Sequence, residues 1–265
     1  MASLLSIQGV GKDYNVRGRN VAALDSINLD IAEGEFVTVV GPSGCGKSTL
    51  LNLVVGLLRS SSGRIAFRGV VIDGICTKIG YVTQKDNLLP WRTLSENVEI
   101  ALEIRGVEEA ARRRQAADWI ERVGLKGFEE HYPHELSGGM RQRANIIRTL
   151  IYDPELILMD EPFGPLDAQT RIVLQDQLLN LWSATKKTIL FITHDLIEAI
   201  TLADRVVLMS SRPGKIKLIE NISIPRPRDV FKIHENEQFR SAYERLWQQL
   251  RPEVTLCEVL KGESA

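Results

Sequence analysis

The sequence predicts an α/β protein: a parallel sheet with helical crossovers, a β-rich N-terminal part and an inserted helical subdomain. Three observations point there. The continuous apolar run EFVTVVG leads straight into GPSGCGKST at residues 41–49, which is the strand, glycine loop and helix order of a P-loop. Downstream, PELILMDEP, KKTILFITHD and DRVVLMSS are three short apolar strand candidates separated by helical stretches, as parallel strands joined by crossovers are. Between these, the pattern over residues 94–134 turns helical.

Taken in order, the first third reads as strands: LLSIQGV near Ser3, the alternating NVAALDSINLDIAEG, then EFVTVVG, whose unbroken apolar character suits a strand buried on both faces. Residues 49–58 read as a buried helix, and SSSGRIAFRG as a turn into another strand. SENVEIALEIRG and EEAARRRQAADWIERVG are amphipathic and each ends in Gly, a common helix terminus. Residues 86–152 are therefore expected to form a helical subdomain inserted in the α/β core. The tail opens on the Pro-rich link IPRPRD and continues as the amphipathic helix ENEQFRSAYERLWQQL. The chain has no internal repeat and no low-complexity segment.

A chain of 265 residues, 44% hydrophobic and 25% charged, suits one large domain or one domain with a sizeable subdomain. Its 33 basic and 34 acidic side chains argue against a dedicated nucleic-acid surface. The start, MASLLSIQGVGKDYNV, has too short an apolar run and too early a Lys and Asp for a signal peptide, and LLNLVVGLL falls short of a membrane span. A cytoplasmic location is expected. Cys45, Cys76 and Cys257 are odd in number and widely spaced, which suggests free thiols in a reducing compartment and neither a disulfide framework nor a zinc cluster.

The chemistry starts at the P-loop. Its glycines let backbone N–H groups converge on phosphate oxygens, so Gly41, Ser43, Gly44, Cys45 and Gly46 are candidate phosphate-binding residues. Lys47 would reach the β and γ phosphates, Ser48 would offer its hydroxyl to Mg²⁺, and Thr49 can add a phosphate contact. LILMDEP ends an apolar strand in two acids, which is costly unless a cation or a reacting water sits there. Asp160 would face the Mg²⁺, and Glu161 could orient and deprotonate the attacking water. Alone, such a pair could be a solvated turn; the P-loop upstream decides against that. His194, at the end of LFITHD, would contact the γ-phosphate or the water near it. Alone it reads as structural, just as Gln84 in YVTQKDNLLPW alone reads as a loop residue. LSGGMRQR at residues 136–143 looks like a second phosphate-gripping helix start.

In this order and approximate spacing, the motifs resemble those of the nucleotide-binding subunit of ATP-binding cassette (ABC) transporters, over essentially the whole chain up to Pro225. The resemblance implies a P-loop NTPase core, with a RecA-like parallel sheet and an antiparallel β subdomain, plus an inserted α-helical signature subdomain. It makes residues 1–225 the ABC ATPase domain and 226–265 a C-terminal helical tail. Gln84 becomes a Q-loop residue near both the metal and the water, Ser137, Gly138 and Gly139 the signature, Asp160 and Glu161 Walker B, Asp167 a D-loop residue beside the nucleotide, and His194 the H-loop. Tyr14, in GKDYN, falls where the family stacks an aromatic on adenine. NLLPWRTLSENV, YPHELSGGMRQR, DEPFGPLDAQTR and ADRVVLMSSRPGKI are similar to the subgroup serving importers of nitrate, sulfonate, taurine and related solutes.

The implied cofactors are ATP and Mg²⁺. The implied partners are a second copy packed head to tail, so that the signature of each closes on the nucleotide of the other, integral membrane permease subunits and, indirectly, an extracytoplasmic solute-binding protein; nucleic acid is not among them. The location implied is peripheral, on the cytoplasmic face of the inner or plasma membrane. Pro165 stands where the family usually has Ala, a stiffer neighbour for Asp167, and Ile147 and Thr149 replace usual alanines, which should alter helix packing. An ABC protein acting in DNA repair or on ribosomes is the rival reading, but the long coiled-coil insertions, metal motifs and tandem cassettes usual there are missing from this sequence. A P-loop kinase would leave LSGG without a task. About forty residues of tail are too few for an independent sensor, so a helix packing on the core is expected. The transported solute cannot be read from these motifs.

Overall fold

The computed structural model describes residues 3–16 and 18–262, the last seven as helix backbone. In chain order the strands are β1 (Ser3–Val16), β2 (Arg19–Ala32), β3 (Phe36–Val40), β4 (Ser62–Phe67), β5 (Val70–Val71), β6 (Ile79–Val82), β7 (Leu156–Asp160), β8 (Thr188–Thr193), β9 (Arg205–Met209) and β10 (Ile216–Asn221). The helices are α1 (Lys47–Val54), α2 (Leu94–Ile104), α3 (Glu109–Arg122), α4 (Gly138–Leu150), α5 (Ala168–Thr185), α6 (Leu196–Leu202) and α7 (Glu237–Gly262). They group into two compact units, one built from residues 1–77 and 182–265, the other from 78–181.

In the first unit, β1 and β2 pair antiparallel, β4 adds to the other edge of β1, and β5 follows β4. The second sheet centres on β3, FVTVV, buried at every position. It is a central strand, with β8 and β9 pairing in parallel along its two edges, and strands of parallel sheets buried on both faces read as near-continuous apolar runs. β10 then pairs antiparallel with β9, a strand absent from the sequence reading; IKLIEN alternates half-buried and exposed residues and carries charges, so it lacks the apolar run of its neighbours. α1 starts at Lys47 and stops at Val54, short of the expected residue 58. Gly56 has φ +81° and packs so closely on Gly74 that a Cβ would lie 1.8 Å from the Gly74 carbonyl oxygen, which ends the helix.

The tail packs on this unit. α7 lies against α6 and buries Phe239, Ala242, Leu246 and Leu250. It extends past the expected helix and through Pro252, although proline removes one backbone donor from the ladder. Glu253 holds that extension: its carboxylate accepts from the Ser211 amide at 2.8 Å, the Ser211 hydroxyl at 3.0 Å and the Lys217 ammonium at 2.9 Å. In the link before α7, Arg228 is buried and donates to the carbonyls of Ile224, Ile200, Thr201 and Ala203 at 2.7–3.2 Å. The guanidinium thus satisfies the terminal carbonyls of α6 and sits at its negative dipole end. Burial, with Arg226 nearby, pushes its pKa down to about 10. Arg226 stacks 4.0 Å from the Trp182 ring centroid and donates to Asp204 at 2.9 Å.

In the second unit, β6 and β7 run parallel. α2 begins with a reciprocal capping box, the Thr93 hydroxyl accepting from Glu96 N–H at 3.3 Å while the Glu96 carboxylate accepts from Thr93 N–H at 2.8 Å. It ends at Gly106, φ +74°, which lets Val107 N–H return to the Leu102 carbonyl at 3.0 Å. Leu94, Val98 and Leu102 of α2, Ala116 and Ile120 of α3, and Ala144 and Ile147 of α4 form one apolar cluster. Ile147 is fully buried in it, and the Thr149 methyl sits against Gly80, where a Cβ would come within 2.6 Å. Both residues therefore bear on helix packing. Cys45 and Cys76 form no disulfide, and the Cys257 side chain lies outside the described residues. Among the described residues no helix is long and apolar enough to cross a membrane.

Candidate functional site

The first unit carries the P-loop between β3 and α1. Gly46 sits at φ +104°, and a Cβ there would lie 2.6 Å from Leu24 Cδ2 and 3.0 Å from the Ala23 carbonyl oxygen. Only glycine fits. A Cβ on Gly41 would meet Cys45 Sγ at 2.9 Å. α1 has no side-chain cap, and an uncapped helix N-terminus is the kind of backbone that anions take. Ser43, Gly44 and Ser48 are exposed, Thr49 half-buried and Cys45 buried. Lys47 is buried and curls into the loop, donating to the carbonyls of Gly41 at 2.9 Å and Pro42 at 3.1 Å. Its ammonium is thereby held against the backbone of the loop.

Tyr14 lies on β1 opposite Val21, half-buried, with the Lys12 ammonium 5.3 Å from its ring centroid. His194 follows β8 and is exposed. The next residue, Asp195, caps α6 by accepting from Ile197 N–H at 2.8 Å and Glu198 N–H at 3.3 Å, and α6 is closed at its other end by Arg228. The backbone on the C-terminal side of His194 is thus fixed at both ends of a seven-residue helix.

The second unit carries the acids. Asp160 is buried at the end of β7, and the Tyr81 hydroxyl, from the neighbouring strand β6, donates to its Oδ2 at 3.4 Å. Burial and the charge of Asp160 push the Tyr81 pKa up, which keeps that hydroxyl a donor. Glu161 has φ +45°, a conformation costly for a residue with a side chain and concentrated at functional sites. Gln84 Nε2 donates to Glu161 Oε2 at 3.5 Å, so these two candidates meet in the fold.

Ser137 caps α4, its hydroxyl accepting from Met140 N–H at 3.3 Å. Gly138 is exposed, and a Cβ on Gly139 would lie 2.8 Å from the Thr170 methyl. These three residues line an open cleft of about 500 Å³ together with Arg143, Asp167 and Thr170. The Asp167 carboxylate is engaged locally: it accepts from the amides of Gln169 at 3.1 Å and Thr170 at 3.0 Å, and from the Thr170 hydroxyl at 2.7 Å. Those bonds from Thr170 hold its pKa below the usual carboxylate range. Pro165 fits without loss, because the turn takes its backbone bonds from Gly164 N–H to Glu161 O at 3.1 Å and Leu166 N–H to Phe163 O at 3.2 Å.

Tyr81, Thr170 and Arg143 of α4 join the site without having been singled out from sequence. Thr170 had a signal in Asp-Ala-Gln-Thr, the spacing of a helix cap.

A strand-borne glycine loop with an enclosed lysine, an acidic strand end and a glycine-opened helix match one known family. The sequence model of the ABC transporter family covers residues 24–164. The chain belongs to this family, as an ATP-binding subunit. It is 48% identical over 225 residues to an uncharacterized ABC transporter ATP-binding protein of Methanocaldococcus jannaschii, covering 85% of this chain and 84% of that protein. Aliphatic sulfonates import ATP-binding proteins of two Bacillus cereus strains are 47% identical over 84% of this chain and 88% of theirs, and 44% identical over 92% and 95%. Among solved structures, a dimeric ATP-binding cassette in a post-hydrolysis state with ADP and Pi matches with TM-score 0.74 at 32% identity, over 83% of this chain and all of that one. A dimeric bacterial ABC transporter cassette matches at TM-score 0.75 and 32% identity. The fold is accordingly that of an α/β P-loop NTPase, and the activity is ATP hydrolysis.

Proposed function

We propose that this ABC ATP-binding subunit energises a membrane importer of a small anionic solute of the sulfonate, nitrate or taurine kind. The observation that carries the reading is the pair of sulfonate-import relatives aligned over 84% and 92% of the chain. The partners assigned are integral membrane permease subunits and, through them, an extracytoplasmic solute-binding protein, with this chain peripheral on the cytoplasmic face.

In the proposed mechanism, the amides of residues 41–46 and the Lys47 ammonium hold the β and γ phosphates, and Tyr14 stacks on adenine. Ser48, Asp160 and Gln84 would offer a hydroxyl, a carboxylate and a carboxamide oxygen, hard donors of the kind Mg²⁺ takes when phosphates supply the remaining ligands. The bound cation would neutralise charge developing on the phosphates. Glu161 accepts the proton of the attacking water, Gln84 orients that water, and His194 contacts the γ-phosphate. A second copy packs head to tail, so that Ser137, Gly138 and Gly139 of one protomer close on the nucleotide held by its partner. Both solved relatives are dimeric, which supports pairing of two copies, and the open cleft lined by the signature and Asp167 leaves that end of α4 accessible.

Deleting the gene and supplying single sulfur or nitrogen sources tests the solute class. Loss of growth on an alkanesulfonate, nitrate or taurine, restored by the wild-type gene and not by Glu161→Gln, is the expected result. Growth unaffected on all three, with ATP hydrolysis stimulated by nucleic acid, would replace the importer reading with a non-transport one.

A further inference from the structure

Arg141, Asn145 and Arg148 lie at i, i+4 and i+7 on α4, a spacing that stacks them on one face of the helix. That face grips residues 83–87. Arg141 Nε donates to Asp86 Oδ2 at 3.0 Å, and its Nη1 to the Leu136 carbonyl at 2.6 Å. Asn145, almost fully buried, donates to the Thr83 carbonyl at 3.3 Å. Arg148 forks across the segment, to the Asp86 carbonyl at 2.8 Å and the Asn87 carbonyl at 2.9 Å, and is itself steadied by Asn145 Oδ1 at 3.0 Å. Within the segment, Asn87 takes a left-handed φ of +49° and donates to the Thr83 hydroxyl at 2.9 Å. Gln84 lies in the middle of this gripped stretch, 3.5 Å from Glu161.

We propose that Arg141, Asn145 and Arg148 are positioning residues that set Gln84 against Glu161 and carry any displacement of the signature end of α4 into residues 83–87. The helix opened by Ser137 and the loop bearing Gln84 then move as one piece. Several hydrogen bonds from α4 to the backbone of one short segment make this linkage stiff, the ones from Asn145 to Thr83 and from Arg148 to Asp86 being partly shielded from water. The catalytic half of the proposal rests on the role given to Gln84 above; the mechanical half does not.

The test uses the full chain and two substitutions, Arg148→Gln in the grip and Asp86→Asn on the exposed loop, which spares the interior. Each is expected to lower kcat roughly tenfold while KM for ATP stays within about twofold, because misplacement near the reacting atoms costs rate more than binding. Arg148→Lys, which keeps the charge but loses the fork, should recover only part of the rate. In a Gln84→Ala background neither substitution should lower kcat further. Multiplicative losses in the double variants would overturn the positioning of Gln84. Amide hydrogen exchange supplies the independent readout: residues 83–89 should lose protection in Arg148→Gln while α4 keeps its own. Unchanged protection would overturn the linkage itself, whereas a wild-type kcat in Gln84→Ala alone would overturn the role of Gln84 and leave the exchange result standing.

Discussion

The chain opens two helices with paired glycines, and the two openings are built to opposite plans. Ahead of α1, Gly44 and Gly46 adopt φ +81° and +104°, the helix has no side-chain cap, and a lysine is folded into the loop. Ahead of α4, Ser137 caps the helix in extended conformation, and Gly138 and Gly139 are ordinary helical residues. Glycine in the first place supplies a backbone conformation; in the second it supplies room, with Gly139 flat against Thr170. The first loop has the left-handed glycine backbone expected of the phosphate-holding role proposed for it. The second is a pre-satisfied helix end with nothing protruding, suited to being approached from outside.

The largest expected effect separates these roles directly. Gly46→Ala should abolish measurable ATP binding in calorimetry, since left-handed strain alone costs ~1–2 kcal/mol before the clash with Leu24 is counted. Gly139→Ala should bind ATP normally and lose turnover. Equal losses of binding in both variants would erase the distinction.

Next in size is complementation between protomers. A dimer mixing Lys47→Ala with Ser137→Arg should retain one complete site and trap about half the wild-type nucleotide if the signature acts in trans. No trapping in the mixed dimer would return the second glycine pair to its own chain. Glu161→Gln should bind ATP and dimerise while hydrolysing at least about a hundredfold more slowly, as single-turnover assays would read.

The smaller effects concern the caps. Ser137→Ala should lower stability by about 0.5–2 kcal/mol, measured in denaturant, whereas α1 offers no cap to remove. Asp167 adds a pH signature. Its folded-state pKa lies below the ordinary value, so its contribution is present above the normal carboxylate range and disappears as pH falls through the lowered value. Asp167→Asn should flatten the acid side of the stability profile, and an unchanged profile would remove the cap from the account.

Much of the core was legible because parallel strands buried on both faces leave unbroken apolar runs such as FVTVV and TILFIT. β10 escaped because an edge strand need bury only one face. The length of α7 escaped because Pro252 argues locally for a stop, and the contacts of Glu253 that override it come from Ser211 and Lys217, some forty residues away in sequence. At the site, Lys47 and Asp160 announce themselves by type and neighbours. The left-handed backbone of Glu161 and the grip of Arg148 on two carbonyls leave no mark in composition or spacing, since a surface arginine and a loop-gripping one look alike in sequence.

The division of the chain into a continuous unit and a discontinuous one has a consequence for birth on the ribosome. Residues 78–181 emerge together and can close their core as soon as they are out. β3 emerges far earlier than either of its neighbours, β8 and β9, and at ordinary elongation rates it waits on the order of ten seconds for them. Throughout that interval five consecutive interior side chains have no sheet to join. The carbonyls at the end of α6 wait again, for Arg228. A nascent chain paused after residue 181 would therefore be the form of this protein most in need of a chaperone.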